Sequence, residues 1–189
     1  MLNFRPGRRL PLSARLTCLP QLPVLLTLAL GLAACSPTLD WREVKASEGP
    51  YTVLMPAKPA SHTRQLTLGE LRADMTMRGA EVEGVSYAVG TAVLADEAQA
   101  RQAASAMQAG MLKNIGTGPA AGKSVMAAGI PMTEVVANGK SPGGQPVSLR
   151  ARFGASGTRA YQVVVLGPAN RVQDEAAATF LESFTPQHP

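Results

Sequence analysis

Apolar and polar residues alternate through much of the chain, and the period changes between two and about three and a half. Leu71, Ala73, Met75 and Met77 alternate with Arg72, Asp74, Thr76 and Arg78, which predicts a strand with one buried face. Residues 79–84 predict a turn, and Val85, Tyr87, Val89 and Val93 a strand beyond it. Later, Val147, Leu149, Ala151 and Phe153 alternate with Ser148, Arg150 and Arg152, and residues 154–157 connect to the apolar run Tyr161-Gln-Val-Val-Val-Leu166. Tyr51-Thr-Val-Leu-Met55 predicts a short strand ended by Pro56, with Pro59 in a loop. Asn138-Gly139 reads as a turn dipeptide, and Ser141-Pro-Gly-Gly144 extends that loop. Such short connections join antiparallel neighbours, because parallel strands need a crossover of a dozen or more residues.

Two segments take the helical period. Asp96 is placed to cap a helix, with Gln99 three residues on. Ala104, Met107, Met111, Leu112 and Ile115 then form an apolar stripe that Gly116 is placed to end. Near the C-terminus Asn170 and Gln173 repeat the capping logic ahead of Val172, Ala176, Phe180, Leu181 and Phe184, with Pro186 closing the stripe. Each stripe must be buried, and a sheet is the available partner. The expected class is α+β: an antiparallel sheet flanked by helices, an α/β/α sandwich of order β-β-β-β-α-β-β-β-β-α.

The first 35 residues have another character. Val24 to Ala34 runs eleven residues with Thr27 alone polar, too short for the roughly 20 that a membrane-spanning helix needs. A basic start, a short apolar stretch and small residues at its end have the layout of a secretory leader. Leu32-Ala33-Ala34-Cys35 resembles the lipobox of bacterial lipoproteins, which implies cleavage before Cys35 and diacylation of its thiol. Cys18 follows Arg15-Leu16-Thr17 with no apolar run and lacks that context. Arg8-Arg9 is compatible with a twin-arginine signal, but Leu10-Pro11-Leu12 matches one poorly, so that route and the general secretory route both stand.

Charge fits this division. The net is +5 from 18 basic and 13 acidic residues, yet Arg5, Arg8, Arg9 and Arg15 precede residue 35 and no acid does. The fourteen basic residues that remain leave a net of +1, so the basic excess marks export and does not point to nucleic acid. The organisation expected is a cleaved leader over 1–34, a lipidated N-terminus and polar tether over 35–47, and a single α+β domain over 48–186. With Cys18 removed and Cys35 acylated, the domain has no thiol for a disulfide. Two or more acyl chains meet the requirement for stable anchoring. Ser36, in place of the aspartate that retains lipoproteins at the inner membrane in well-studied sorting systems, favours the outer membrane, facing the periplasm.

Trp41-Arg-Glu-Val44 leading into Gly49-Pro-Tyr-Thr-Val-Leu-Met-Pro56, with Arg159-Ala-Tyr161-Gln-Val-Val-Val-Leu166 and Phe180-Leu-Glu-Ser-Phe184 near the end, resembles small bacterial envelope proteins with a PsbP-type fold. The resemblance covers roughly residues 41–185. It implies an antiparallel sheet with helices on both faces, Phe180, Leu181 and Phe184 in the core and Tyr161 buried on a strand. Most bacterial members have no assigned activity, and the photosynthetic member's metal chemistry has no matching residues here.

Chemical motifs are sparse. Gly116-Thr-Gly-Pro-Ala-Ala-Gly122-Lys123-Ser124 looks like a phosphate loop, but the pattern wants glycine where Thr117 stands, and a helix precedes it and a strand follows. His62 and His188 are too few for a zinc site without converging carboxylates. No serine has a G-x-S-x-G context, and Asp74, Glu81 and Glu83 form a weak acidic cluster whose glutamates fall in an expected turn. Arg72, Arg78, Arg150 and Arg152 lie on the polar sides of two strands, and on one open face they would form an anion patch. The expectation is a non-enzymatic, lipid-anchored module with no metal, cofactor or nucleotide, held at the membrane by its lipid and binding an envelope protein. The alternative is a carrier of a small ligand or lipid, with an apolar pocket lined by Met75, Met77, Met107 and Met111.

Overall fold

The structure, a computed structural model, describes residues 38–47 and 49–187. In chain order the elements are β1 (Arg42–Ala46), β2 (Tyr51–Met55), β3 (Ala60–Leu68), β4 (Leu71–Val82), β5 (Val85–Val93), α1 (Glu97–Asn114), β6 (Lys123–Ala127), β7 (Ile130–Lys140), β8 (Pro146–Ser156), β9 (Arg159–Pro168), α2 (Asp174–Ser183) and β10 (Thr185–Pro186). The class is α+β. The strands form two antiparallel sheets, a seven-stranded one ordered β3-β4-β5-β9-β8-β7-β6 and a three-stranded one ordered β1-β2-β10.

Three expectations are corrected. The polar tether is shorter than expected, because Asp40 and Trp41 already contact the body and Arg42–Ala46 pairs along its length with β2. Its alternation is hidden by charge: Arg42, Glu43 and Lys45 are exposed, and Ala46 alone is fully buried. That strand and the two-residue β10 add a second sheet, so one face of the large sheet carries a helix and a small sheet together. The third correction concerns Asn138-Gly139, which is strand, not turn; the reversal occurs at Ser141, whose carbonyl accepts from Gly144 N at 2.8 Å.

α1 starts where the sequence places it, with Asp96 Oδ1 accepting from Gln99 N at 2.8 Å. Glu97 in its first turn and Lys113 in its last complement the helix dipole. Gly116, at φ +69°, takes the left-handed conformation that ends the helix. The buried face is Ala100, Ala103, Ala104, Met107 and Leu112, and the small residues let the helix lie close to β8 and β9. α2 has no side-chain cap from Gln173; Asp174 and Glu175 favour its N-terminus instead.

β9, the middle strand, is buried on both sides. Tyr161, Val163 and Val165 join Tyr87, Val89, Phe180, Leu181 and Phe184 in one core beneath α2 and the small sheet. Ala160 and Val164 join Met75, Ala92, Met107, Leu149 and Phe153 in the other, beneath α1. The aromatic residues concentrate in the first core, where Tyr87 meets Trp41 and Phe180 edge-on at centroid distances of 6.2 and 5.5 Å. Tyr161 meets Phe184 at 5.6 Å.

Candidate functional site

A group of paired charges lies between the large sheet and α2. Period-two alternation sends Arg150 and Arg152 of β8 to the same face. Arg152 Nε donates to Glu134 Oε2 at 2.7 Å, directly across the β7–β8 pairing, and its Nη1 donates to the Leu181 carbonyl at 2.9 Å. Arg150 Nη2 and Nε donate to Asp174 Oδ1 at 2.8 and 3.2 Å, and Nη1 donates to Ser148 Oγ at 2.8 Å. Glu134, Arg150, Arg152 and Asp174, with Val136, Ala177 and Glu182, line a depression of about 270 Å³. Each guanidinium pairs with a carboxylate and reaches α2, Arg150 through Asp174 and Arg152 through the Leu181 carbonyl, so they fasten the helix to the sheet. Glu134 and Asp174 were not singled out in the sequence, because cross-strand register and helix docking alone bring them to the arginines.

Arg72 and Arg78 are elsewhere. Arg78 pairs in register with Val89, Val89 with Val163, and Val163 with Arg152, so Arg78 and Arg152 share a face. The two intervening strands place fully buried Val89 and Val163 between them. Arg72 is six residues farther along β4, roughly 20 Å away. The expected four-arginine patch is therefore not formed: alternation gives the side of a strand, while the strand order decides who its neighbours are.

Two grooves flank α1. One, of about 540 Å³, lies between its C-terminal half and residues 117–120, lined by Ser105, Gln108, Ala109, Leu112, Lys113, Pro119 and Ala120. Gln108 Nε2 donates to the Ala120 carbonyl at 3.3 Å and Thr117 Oγ1 to the Leu112 carbonyl at 3.1 Å, which holds the loop along the helix. The other, of about 560 Å³, runs from Glu97 and Arg101 past Phe153 to residues 129–131 and 154–157. Its acid, Glu97, is ion-paired with Arg101 one helical turn on. The four methionines do not line either groove. Met75 and Met107 are buried in the core under α1, with Met77 and Met111 packed at its margin, and Gln162 Nε2 lies 3.4 Å from Met77 Sδ.

The weaker candidates disperse as well. Asp74 and Glu81 are seven residues apart on β4, roughly 24 Å, and Glu83 sits at the following turn at φ +51°. His62 is exposed within β3. Among the described residues no group of three or more His, Cys, Asp or Glu is gathered to hold a metal ion. Residues 116–122 lead from α1 into β6, the reverse of a phosphate loop. Burial raises the phenols of Tyr87 and Tyr161 above their ordinary value, with Arg159 opposing the shift at Tyr161.

A third depression, of about 280 Å³, joins the start of the described chain to the body. Thr38 and Leu39 line it with Val82, Glu83, Val85, Tyr87, Arg171 and Gln173. Asp40 N donates to the Pro56 carbonyl at 2.8 Å, and Arg171 Nη1 to the Glu83 carbonyl at 3.0 Å. Sequence periodicity gives no signal for this contact. Leu32, Ala33, Ala34 and Cys35, with Cys18 and His188, lie outside the described residues. Among the described residues no helix is long and apolar enough to cross a membrane.

No family model and no curated protein matches the chain. A crystal structure from Bacteroides thetaiotaomicron VPI-5482 aligns with a TM-score of 0.43 at 8% identity, covering 73% of this chain and 45% of that one. The chain thus spans less than half the length of that protein, and a similarity at this level establishes neither family nor activity.

Proposed function

We propose that the chain is a lipid-anchored envelope protein whose domain is a PsbP-type binding or accessory module, not an enzyme, facing the periplasm from the outer membrane. The observation that carries this reading is Leu32-Ala33-Ala34-Cys35 at the end of an apolar run, five residues before the chain is fixed to the folded body at Asp40. An anchor so close to a compact domain suits a module that works at a membrane surface. The separation of Asp74 from Glu81 and Glu83 takes apart the one acidic cluster the sequence offers for acid–base chemistry. The test is Cys35→Ala: incorporation of labelled fatty acid should be abolished, and undiminished labelling would overturn the anchor. Crosslinking in intact envelopes followed by affinity capture should recover one specific partner, and its absence under several growth conditions would count against the binding role.

The carrier is the second reading, and the groove beside α1 favours it. Ala109, Leu112, Pro119 and Ala120 offer an apolar wall, with Lys113 as a cation for an acidic head. Purified protein extracted into organic solvent should release a stoichiometric lipid or small acid, detectable by mass spectrometry, if this reading holds.

A further inference from the structure

We infer that one end of the large sheet, carrying the β4–β5 turn, residues 169–171 and residues 56–59, is held against the bilayer, and that the opposite end is presented to the periplasm. This orientation rests on the lipid anchor at Cys35 proposed above.

The argument is one of reach. Cys35 and Asp40 are five residues apart, a separation of at most about 18 Å for a fully extended chain. The last part of that span is already committed: Leu39 is half-buried beside Val82 and Glu83, and Asp40 N is bonded to the Pro56 carbonyl. β4 has 12 residues, so the sheet is roughly 40 Å from end to end. The tether therefore spans less than half the sheet, and its fixed point determines which end stays near the lipid.

The topology identifies that end. β4 finishes at Val82, beside the tether, and antiparallel pairing brings the starts of β3, β5 and β8 and the ends of β7 and β9 to the same end. Lys140, Asn170 and Arg171 are exposed there. Glu70 of the β3–β4 turn, Gly129 of the β6–β7 turn and Thr158 of the β8–β9 turn are at the other end. The groove reaching residues 129–131 and 154–157 lies at that far end, which places it where a soluble partner can approach. Lys58, Lys140 and Arg171 stand against Glu81 and Glu83 at the near end, so charge adds a small attraction to anionic lipid there, while the length of the tether limits which end can approach.

The test uses the full-length, acylated protein reconstituted into phosphatidylethanolamine–phosphatidylglycerol vesicles that contain a headgroup nitroxide lipid. With Cys35 acylated and Cys18 removed, an introduced cysteine is the sole thiol. A fluorophore on Lys140→Cys or Asn170→Cys should be quenched by the nitroxide, and one on Glu70→Cys or Thr158→Cys should not. Equal quenching at both ends, or stronger quenching at Glu70→Cys, would overturn the orientation. A Gly/Ser insertion of about 12 residues after Pro37 adds roughly 20 Å of mean reach and should erase the difference. A difference that survives the insertion would overturn the tether as its cause. Absence of the acyl mass on the Cys35 peptide before reconstitution would instead overturn the anchor, separately from the geometry.

Discussion

Arg152 and Glu134 stand directly opposite each other on β8 and β7, with Nε 2.7 Å from Oε2, and the same guanidinium reaches across to the Leu181 carbonyl of α2. One side chain thus ties two strands and a helix together. The pair is largely shielded, with side-chain exposures of 12% for Arg152 and 26% for Glu134.

Arg152→Met should destabilise the domain by about 1–3 kcal/mol, because Glu134 and the Leu181 carbonyl lose a donor in a site with little water. Denaturant titration measures it. The double variant with Glu134→Gln should recover part of the loss, since no carboxylate is then left unpaired; a double variant no better than the single would show that the ion pair contributes nothing specific.

Gly139→Ala should be more damaging than Gly90→Ala. A Cβ on Gly139 would sit 2.1 Å from the Ile115 carbonyl oxygen, which is backbone, whereas one on Gly90 meets only side chains, those of Met75, Met77 and Gln162. The first displaces the end of α1, which Lys140 N holds by donating to the Ile115 carbonyl at 2.8 Å. A loss of about 3 kcal/mol or more is expected at Gly139, and a smaller one at Gly90, where the methionines can repack.

Asp96→Ala should remove about 1 kcal/mol, the usual value of an N-cap side chain, and Asp96→Ser should retain most of it. Thermal or chemical unfolding followed by circular dichroism compares the two.

Alkaline stability should follow the phenols. Burial raises Tyr87 and Tyr161 above 10.0 in the folded state, so the folded protein holds those protons longer than the unfolded chain does. Their contribution is intact below pH 10 and is lost as pH rises through the folded values. Unfolding free energy should fall with pH above that point, and Tyr87→Phe should flatten the fall.

Much of the secondary structure was legible because it follows local rules. The alternation from Leu71 to Met77 is β4, and Asp96 and Gly116 bound α1 as their chemistry requires. What escaped was decided by distant contacts. Arg42–Ala46 is a strand because β2 lies beside it, not because its own pattern says so. Gly139 looks like a turn residue yet is extended, and it is glycine where the Ile115 carbonyl leaves no room for a side chain. Alternation gives the side of the strand for each arginine, but the interposition of β5 and β9 keeps Arg78 from Arg152. The candidate site was legible only as residue types; its partners, Glu134 and Asp174, come from register and from helix docking.

The central position of β9 governs when the two cores can close. Val89 pairs with Val163 across a long stretch of intervening sequence, and β9 contributes side chains to both cores. Neither core is complete until that strand arrives, so a chain emerging N-terminus first carries β1–β5 and α1 with both cores only partly built. Completion of both cores therefore waits until β9 has been made. The amides of β9, shielded by a core on each side, should be among the slowest in the domain to exchange with water.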